Sequence, residues 1–141
     1  FLRRAVEDQA YSIVHQNRWM HVLRACPDTK DAYKSWKDRY VNMQGSYEMY
    51  VALAPEVCRA LLYVEAQHLA VADLEIWHHE VYQDPVLLQD RLAAQGYRFD
   101  IPDAQYLKDR SDSINRKLEI RNTQEWLDIQ ALCKQLRASS I

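Results

Sequence analysis

Glycine is almost missing from this chain, with two among 141 residues. That scarcity excludes the glycine-rich loop that cradles phosphates, the GxGxxG turn of dinucleotide sites and the GxSxG elbow of hydrolases, because each needs backbone conformations or close approaches that a side chain blocks. Cysteine is scarce too. Cys26, Cys58 and Cys133 lie 32 and 75 residues apart with no CxxC spacing, which argues against a disulfide framework and for buried free thiols in a reducing compartment. The longest unbroken apolar run, Met49 to Ala54, falls far short of the roughly 20 residues a membrane span needs. No basic-then-apolar start resembles a signal peptide, so the expected setting is soluble and cytoplasmic. A chain that opens on Phe1 is expected to be a processed product or a piece of a longer one.

No sign of charge dominates either. The formal net charge is −2, with eight Lys or Arg against five Asp or Glu in residues 1–40, two against eight in 41–97 and eight against seven in 98–141. A nucleic-acid binder normally concentrates its basic residues on one face, and this balance does not favour that class.

What the chain does have is helix-forming sequence between few breakers. Apolar residues make up 48% and charged residues 27%, the composition of a compact domain able to bury one core, here taken as residues 1–141. Pro27, Pro55, Pro85 and Pro102 leave segments of 26, 27, 29, 16 and 39 residues, the lengths of bundle helices rather than strands. The expected fold is all-α: a single up-and-down helical bundle of about five helices. Asp28, Asp84 and Asp103 are candidate N-caps, and Gly96 is a candidate left-handed stop. Tyr97, Phe99 and Ile101 alternate in an extended connector too short for a sheet. Asn122 followed by Glu125 reads as a helix restart, which predicts a kink in the long C-terminal helix.

Two segments stand out by pattern. Tyr33, Trp36, Tyr40, Met43, Tyr47, Tyr50 and Ala54 recur at steps of three and four, an aromatic seam along one helix face. From Val57 to Trp77, fifteen of 21 residues are apolar and they occur all round, as expected of a central helix over about 56–81. Leu2, Val6, Ala10, Ile13, Met20 and Leu23 predict an amphipathic partner for it.

Three functional readings follow. Tyrosine suits surfaces that a partner covers, since its ring is apolar and its hydroxyl must find a hydrogen bond. The seam residues Tyr33, Trp36, Tyr40, Tyr47 and Tyr50 therefore predict a non-catalytic protein–protein interaction or oligomerisation module, pairing with a protein partner or with itself, without cofactor and without a membrane. The same seam also serves as plain bundle core, and that bland use carries more weight for most of its rings. An alternative is a small nucleic-acid-associated regulator using Lys108, Arg110, Arg116, Lys117 and Arg121, although interleaved Asp109, Asp112 and Glu119 read more readily as a solvated helix laced with ion pairs. The weakest alternative is metal binding by His68, Glu75 and His79, which fall on one face if 56–81 is a single helix. Glu65/His68 and Glu75/His78 have the ExxH spacing of bundle metal sites, but on one helix they would sit about 15 Å apart. The residues for nucleophilic catalysis occur but in no local nucleophile–base arrangement, which leaves only constellations assembled from distant positions, and the chain is expected not to be an enzyme.

Overall fold

The computed structural model describes residues 1–15, 19–31 and 47–139, with the backbone alone at 19–21 and 47–50. Its fold class is all-α. The described residues form seven α-helices: α1 (Val6–His15), α2 (Trp19–Ala25), α3 (Tyr47–Val71), α4 (His78–Gln83), α5 (Pro85–Ala93), α6 (Ala104–Lys117) and α7 (Gln124–Ser139). A 3-10 helix (Leu118–Asn122) lies between α6 and α7, and two short strands, β1 (Leu2–Arg3) and β2 (Ile76–Trp77), pair in parallel with Leu2 opposite Ile76. The helices are more numerous and shorter than the five foreseen.

These elements fall into two compact units, one made of 1–4 and 73–120 and the other of 5–72 and 121–141. The second, the cored unit, holds α1, α2, α3 and α7. Val6, Ala10 and Val14 of α1 meet Leu53, Val57, Cys58 and Leu61 of α3 and Ile129 and Cys133 of α7 in one buried cluster. The i, i+4, i+8 spacing of the α1 trio is what turns one helical stripe inward. Polar groups join α1 to α7 and to the 3-10 helix before it at the rim of that core. Glu7 accepts from Arg137 at 2.8 Å, Asp8 accepts from Arg121 at 2.8 Å and from the Trp126 indole at 2.8 Å, and His15 meets Glu125 at 3.1 Å.

Several expected boundaries are corrected. The first segment is not one helix from Leu2: Leu2 is exposed and lies in β1, where Phe1 O accepts from Ile76 N at 2.9 Å. Asp28 does not open a helix, because residues 27–31 form a turn closed by Lys30 N on Cys26 O, with the buried Thr29 hydroxyl donating to Leu23 O at 2.7 Å. Pro55 does not start the central helix either. Helix α3, described over Tyr47–Val71, runs through the proline. A helix-interior proline costs roughly 3 kcal/mol, and burial of Leu53 and Ala54 before it and Val57 and Cys58 after it offsets that cost.

The same helix ends at Val71 rather than near residue 81. Asp73 and Glu75 follow at its C-terminal end, where the helix dipole disfavours negative charge, and Ile76 and Trp77 are recruited to β2 by pairing with β1. Local chemistry is obeyed further on. Asp103 accepts from Gln105 N and Tyr106 N at 3.0 and 3.1 Å and caps α6. Gly96, at φ 83°, closes α5 with Tyr97 N on Leu92 O and Gly96 N on Ala93 O, the Schellman pattern. Asp84 departs from expectation, for its side chain makes no cap bond and only its backbone joins α4 to α5. The predicted break in the last segment is real, but Thr123 supplies the cap, its hydroxyl accepting from Trp126 N at 3.2 Å.

Candidate functional site

The unit of residues 1–4 and 73–120 is where surface and core are least resolved from one another. Helix α5 turns Leu88 and Leu92 inward, and these are its buried side chains among the described residues. On the same helix Val86 and Leu87 are 60% and 71% exposed. Gln89 donates to Phe99 O at 3.0 Å and so ties the connector after Gly96 back to α5. That connector carries Tyr97, half exposed, and Ile101. The charges beside these apolar residues have both signs: Asp84 just before α5, Asp90 and Arg91 on it, and Arg98 paired to Asp100 at 3.1 Å on the connector.

The second feature of this unit is a ladder of rings between α4 and α6. His78 packs edge-on to Tyr82 at 5.2 Å, Tyr82 packs edge-on to Tyr106 at 6.1 Å, and the Arg110 guanidinium lies 5.5 Å from the Tyr106 ring. Both helical pairs have i, i+4 spacing, which stacks side chains on one helix face. Gln83 extends the junction by donating to Ser111 and to Asn115, the latter at 3.0 Å. Burial holds the His78 imidazole below its ordinary pKa, and the nearby positive charges of Arg4, Lys117 and Arg110 push the same way. Burial, followed by its hydrogen bond with Tyr106, raises the Tyr82 phenol.

The residues singled out from sequence are scattered by the fold. Tyr33, Trp36 and Tyr40 lie outside the described residues, and Tyr47 and Tyr50 sit on the first turns of α3 with their side chains outside the description. Lys108, Arg110, Arg116 and Lys117 are exposed on α6, whereas Arg121 lies beyond that helix, in the cored unit, bound to Asp8. The five cations therefore do not form one helical track.

His68, Glu75 and His79 share no helix face, because α3 stops at Val71: His68 is in its last turn, Glu75 is in the connector and His79 is in α4. All three are exposed. Glu75 accepts from Arg3 at 3.2 Å, and His79 tilts against Trp77 with ring centroids 6.3 Å apart. Among the described residues no group of three or more His, Cys, Asp or Glu side chains converges as metal ligands would. None of their helices is long and apolar enough to cross a membrane.

Two features escaped the sequence reading. Val86 and Leu87 follow a proline that draws attention as a helix start, and their outward placement depends on Leu88 and Leu92 being the pair turned inward. Cys58 and Cys133 belong to one buried cluster despite lying 75 residues apart, a grouping for which local spacing holds no signal. Comparison of the chain with known protein families, with curated proteins and with solved structures gives no match.

Proposed function

We propose that this chain is a non-catalytic interaction module that associates with a second copy of itself through the unit of residues 1–4 and 73–120. The observation that carries this reading is the imbalance on α5 and its connector, where Val86, Leu87, Tyr97 and Ile101 stay exposed while Leu88 and Leu92 alone are buried among the described residues. A unit of about fifty residues is at the lower limit of what a hydrophobic core sustains alone, and covering its apolar surface adds stability that the fold itself lacks. Mixed charges favour a second copy over a strongly charged partner: Asp84, Asp90 and Asp100 occur together with Arg91 and Arg98, and a twofold contact requires one patch to complement itself.

The test is mass in solution across a concentration range. Wild-type protein should form a dimer whose affinity is nearly independent of salt, and Leu87→Asp should shift it to monomer without loss of helicity. Wild-type protein that stays monomeric at every concentration overturns the proposal.

A second reading, nucleic-acid contact through Lys108, Arg110, Arg116 and Lys117, draws support from the cationic surroundings of His78. It is weaker because the unit holding these residues carries eight Lys or Arg against ten Asp or Glu. Affinity for single-stranded DNA or RNA that falls steeply with salt would favour it.

A further inference from the structure

One side of α6 brings the exposed end of the ring ladder together with two cations. At about 100° per residue, Tyr106, Arg110, Ser113 and Lys117 fall within roughly 60° of one another. Tyr106 is 41% exposed, with the Arg110 guanidinium 5.5 Å from its ring and Tyr82 of α4 edge-on to it at 6.1 Å. His78 stands behind Tyr82, edge-on in turn, at 5.2 Å. The Tyr106 ring is thus propped from the α4 side and still presents surface to solvent.

The charge along this side has one sign. Among the described residues neither Arg110 nor Lys117 is ion-paired to a carboxylate. The charges that act on the neighbouring His78 ring are positive as well, with Arg4, Lys117 and Arg110 foremost. Asp109 and Asp112 fall about 70° and 130° from the centre of the group, and Asp109 accepts from Gln105 at 2.9 Å. Lys108 and Arg116 fall about 170° and 90° away. The four exposed cations of α6 therefore divide into a pair beside the ladder and two that face elsewhere.

Arg110 and Lys117 are two turns apart, about 10 Å along the axis, and both side chains are long enough to reach phosphate lying over Ser113 between them. Guanidinium and ammonium groups give charge-assisted hydrogen bonds to phosphate oxygens, and an exposed aromatic ring offers a stacking face to any base. A ligand that fits both is flat at one end and multiply anionic at the other.

We propose that the side of α6 formed by Tyr106, Arg110 and Lys117 binds a nucleoside phosphate, its base stacked on Tyr106 and its phosphates held by Arg110 and Lys117. The site goes beyond self-association, since it uses none of Val86, Leu87, Tyr97 and Ile101. It is also narrower than a contact through every cation of α6, because Lys108 and Arg116 take no part. A free nucleotide and one unit of a single strand present the same chemistry to it. Bound phosphate offsets the repulsion that keeps His78 neutral, so binding and protonation of His78 favour one another.

The experiment titrates the full chain with adenosine diphosphate at low salt, by calorimetry and by NMR of the His and Tyr ring protons. The expected result is saturable binding that weakens as salt rises, with shifts at Tyr106 and Tyr82 and a His78 titration moved to higher pH. Adenosine and inorganic phosphate should each bind at least about ten-fold more weakly, because each supplies one of the two contacts. Arg110→Gln, Lys117→Gln and Tyr106→Leu should each lower affinity roughly five-fold or more. Tyr106→Phe, which keeps the ring, should stay close to wild type, as should the paired Lys108→Gln and Arg116→Gln variant and the Leu87→Asp chain. Competition by a short oligothymidylate for the same residues would identify the single strand as a source of the ligand, and its failure to compete would leave the free nucleotide. Absence of saturable binding to the wild-type chain, phosphate binding as tight as that of the diphosphate nucleotide, or an equal loss in the Lys108→Gln and Arg116→Gln variant each overturns the proposal.

Discussion

The two units of this chain use similar helices to different ends. The cored unit buries residues from α1, α2, α3 and α7 in one cluster. The other has, among the described residues, Leu88 and Leu92 of α5 as its fully buried apolar side chains and leaves Val86, Leu87, Tyr97, Ile101, Tyr106 and Leu118 exposed. Hydrophobic stabilisation scales with apolar area removed from water, so the first unit is held by its interior. The second relies more on individual devices: the Asp103 cap, the Gly96 stop, the long-range β1–β2 pair and the ring ladder. The cored unit exposes Val51, Val71 and Leu127 as well, so the contrast lies in how much apolar surface each unit buries beneath what it shows.

Leucine truncation in each unit is the strongest test of this contrast. Leu53→Ala removes a fully buried side chain from the cored unit, and a loss of about 3–4 kcal/mol in denaturant unfolding is expected from transfer and cavity terms together. Leu87→Ala, at 71% exposure, should change the stability of dilute, monomeric protein by no more than about 0.5 kcal/mol. Comparable losses at the two positions would erase the distinction.

A smaller effect is expected at the polar rim of the cored unit. Asp8 accepts from the Trp126 indole and from both Arg121 nitrogens that face it, at 2.8 and 3.3 Å. The Arg121 contact is solvent-screened and contributes little. The indole is mostly buried, so Asp8→Ala leaves a donor without its acceptor and should cost about 2 kcal/mol. Asp8→Asn keeps an acceptor for the indole and should recover more than half of that loss. If alanine and asparagine prove equal, the arginine pair carries the interaction instead.

Legibility in the sequence followed the range of each interaction. Asp103 and Gly96 were readable because a cap or a left-handed stop is decided within a few residues, and the all-α class was readable because two glycines and widely spaced prolines leave little room for a sheet. Pro55 misled because burial on both sides of it, a tertiary fact, outweighs its local penalty. The end of α3 at Val71 has no glycine or proline to announce it. It is set by the pairing of Ile76 and Trp77 with residues 2 and 3, more than seventy positions away. The proposed metal face on His68, Glu75 and His79 was drawn on a helix that stops short of two of them. Of the apolar surface on α5, Val86 and Leu87 could have been found by asking which face Leu88 and Leu92 leave outside.

The caps allow a finer comparison, because each unit has one. Asp103→Ala frees Gln105 N and Tyr106 N in the weakly cored unit, and Thr123→Ala frees Trp126 N in the other. Each should remove about 1 kcal/mol. The difference should lie in where the loss is read. In hydrogen exchange, Asp103→Ala is expected to release the first turns of α6 locally, whereas Thr123→Ala should lower protection across α1, α3 and α7 together, since those helices share one core.

The smallest expected effect is a pH dependence confined to the weakly cored unit. His78 packs against Tyr82, and Arg4, Lys117, Arg110 and His79 all oppose its protonation, in addition to burial. Its native pKa therefore lies below the ordinary value of 6.5, while the unfolded chain takes up the proton near that value. As pH falls through about 6.5 the unfolded state binds the proton first, so stability declines until the native imidazole is protonated as well, below which the loss is constant. Protection of α4 and α6 amides should accordingly fall between pH 7 and 5, and His78→Gln should flatten that fall while leaving the cored unit unchanged. Equal acid sensitivity in the His78→Gln chain would assign the effect to other groups and remove His78 from the description of this surface.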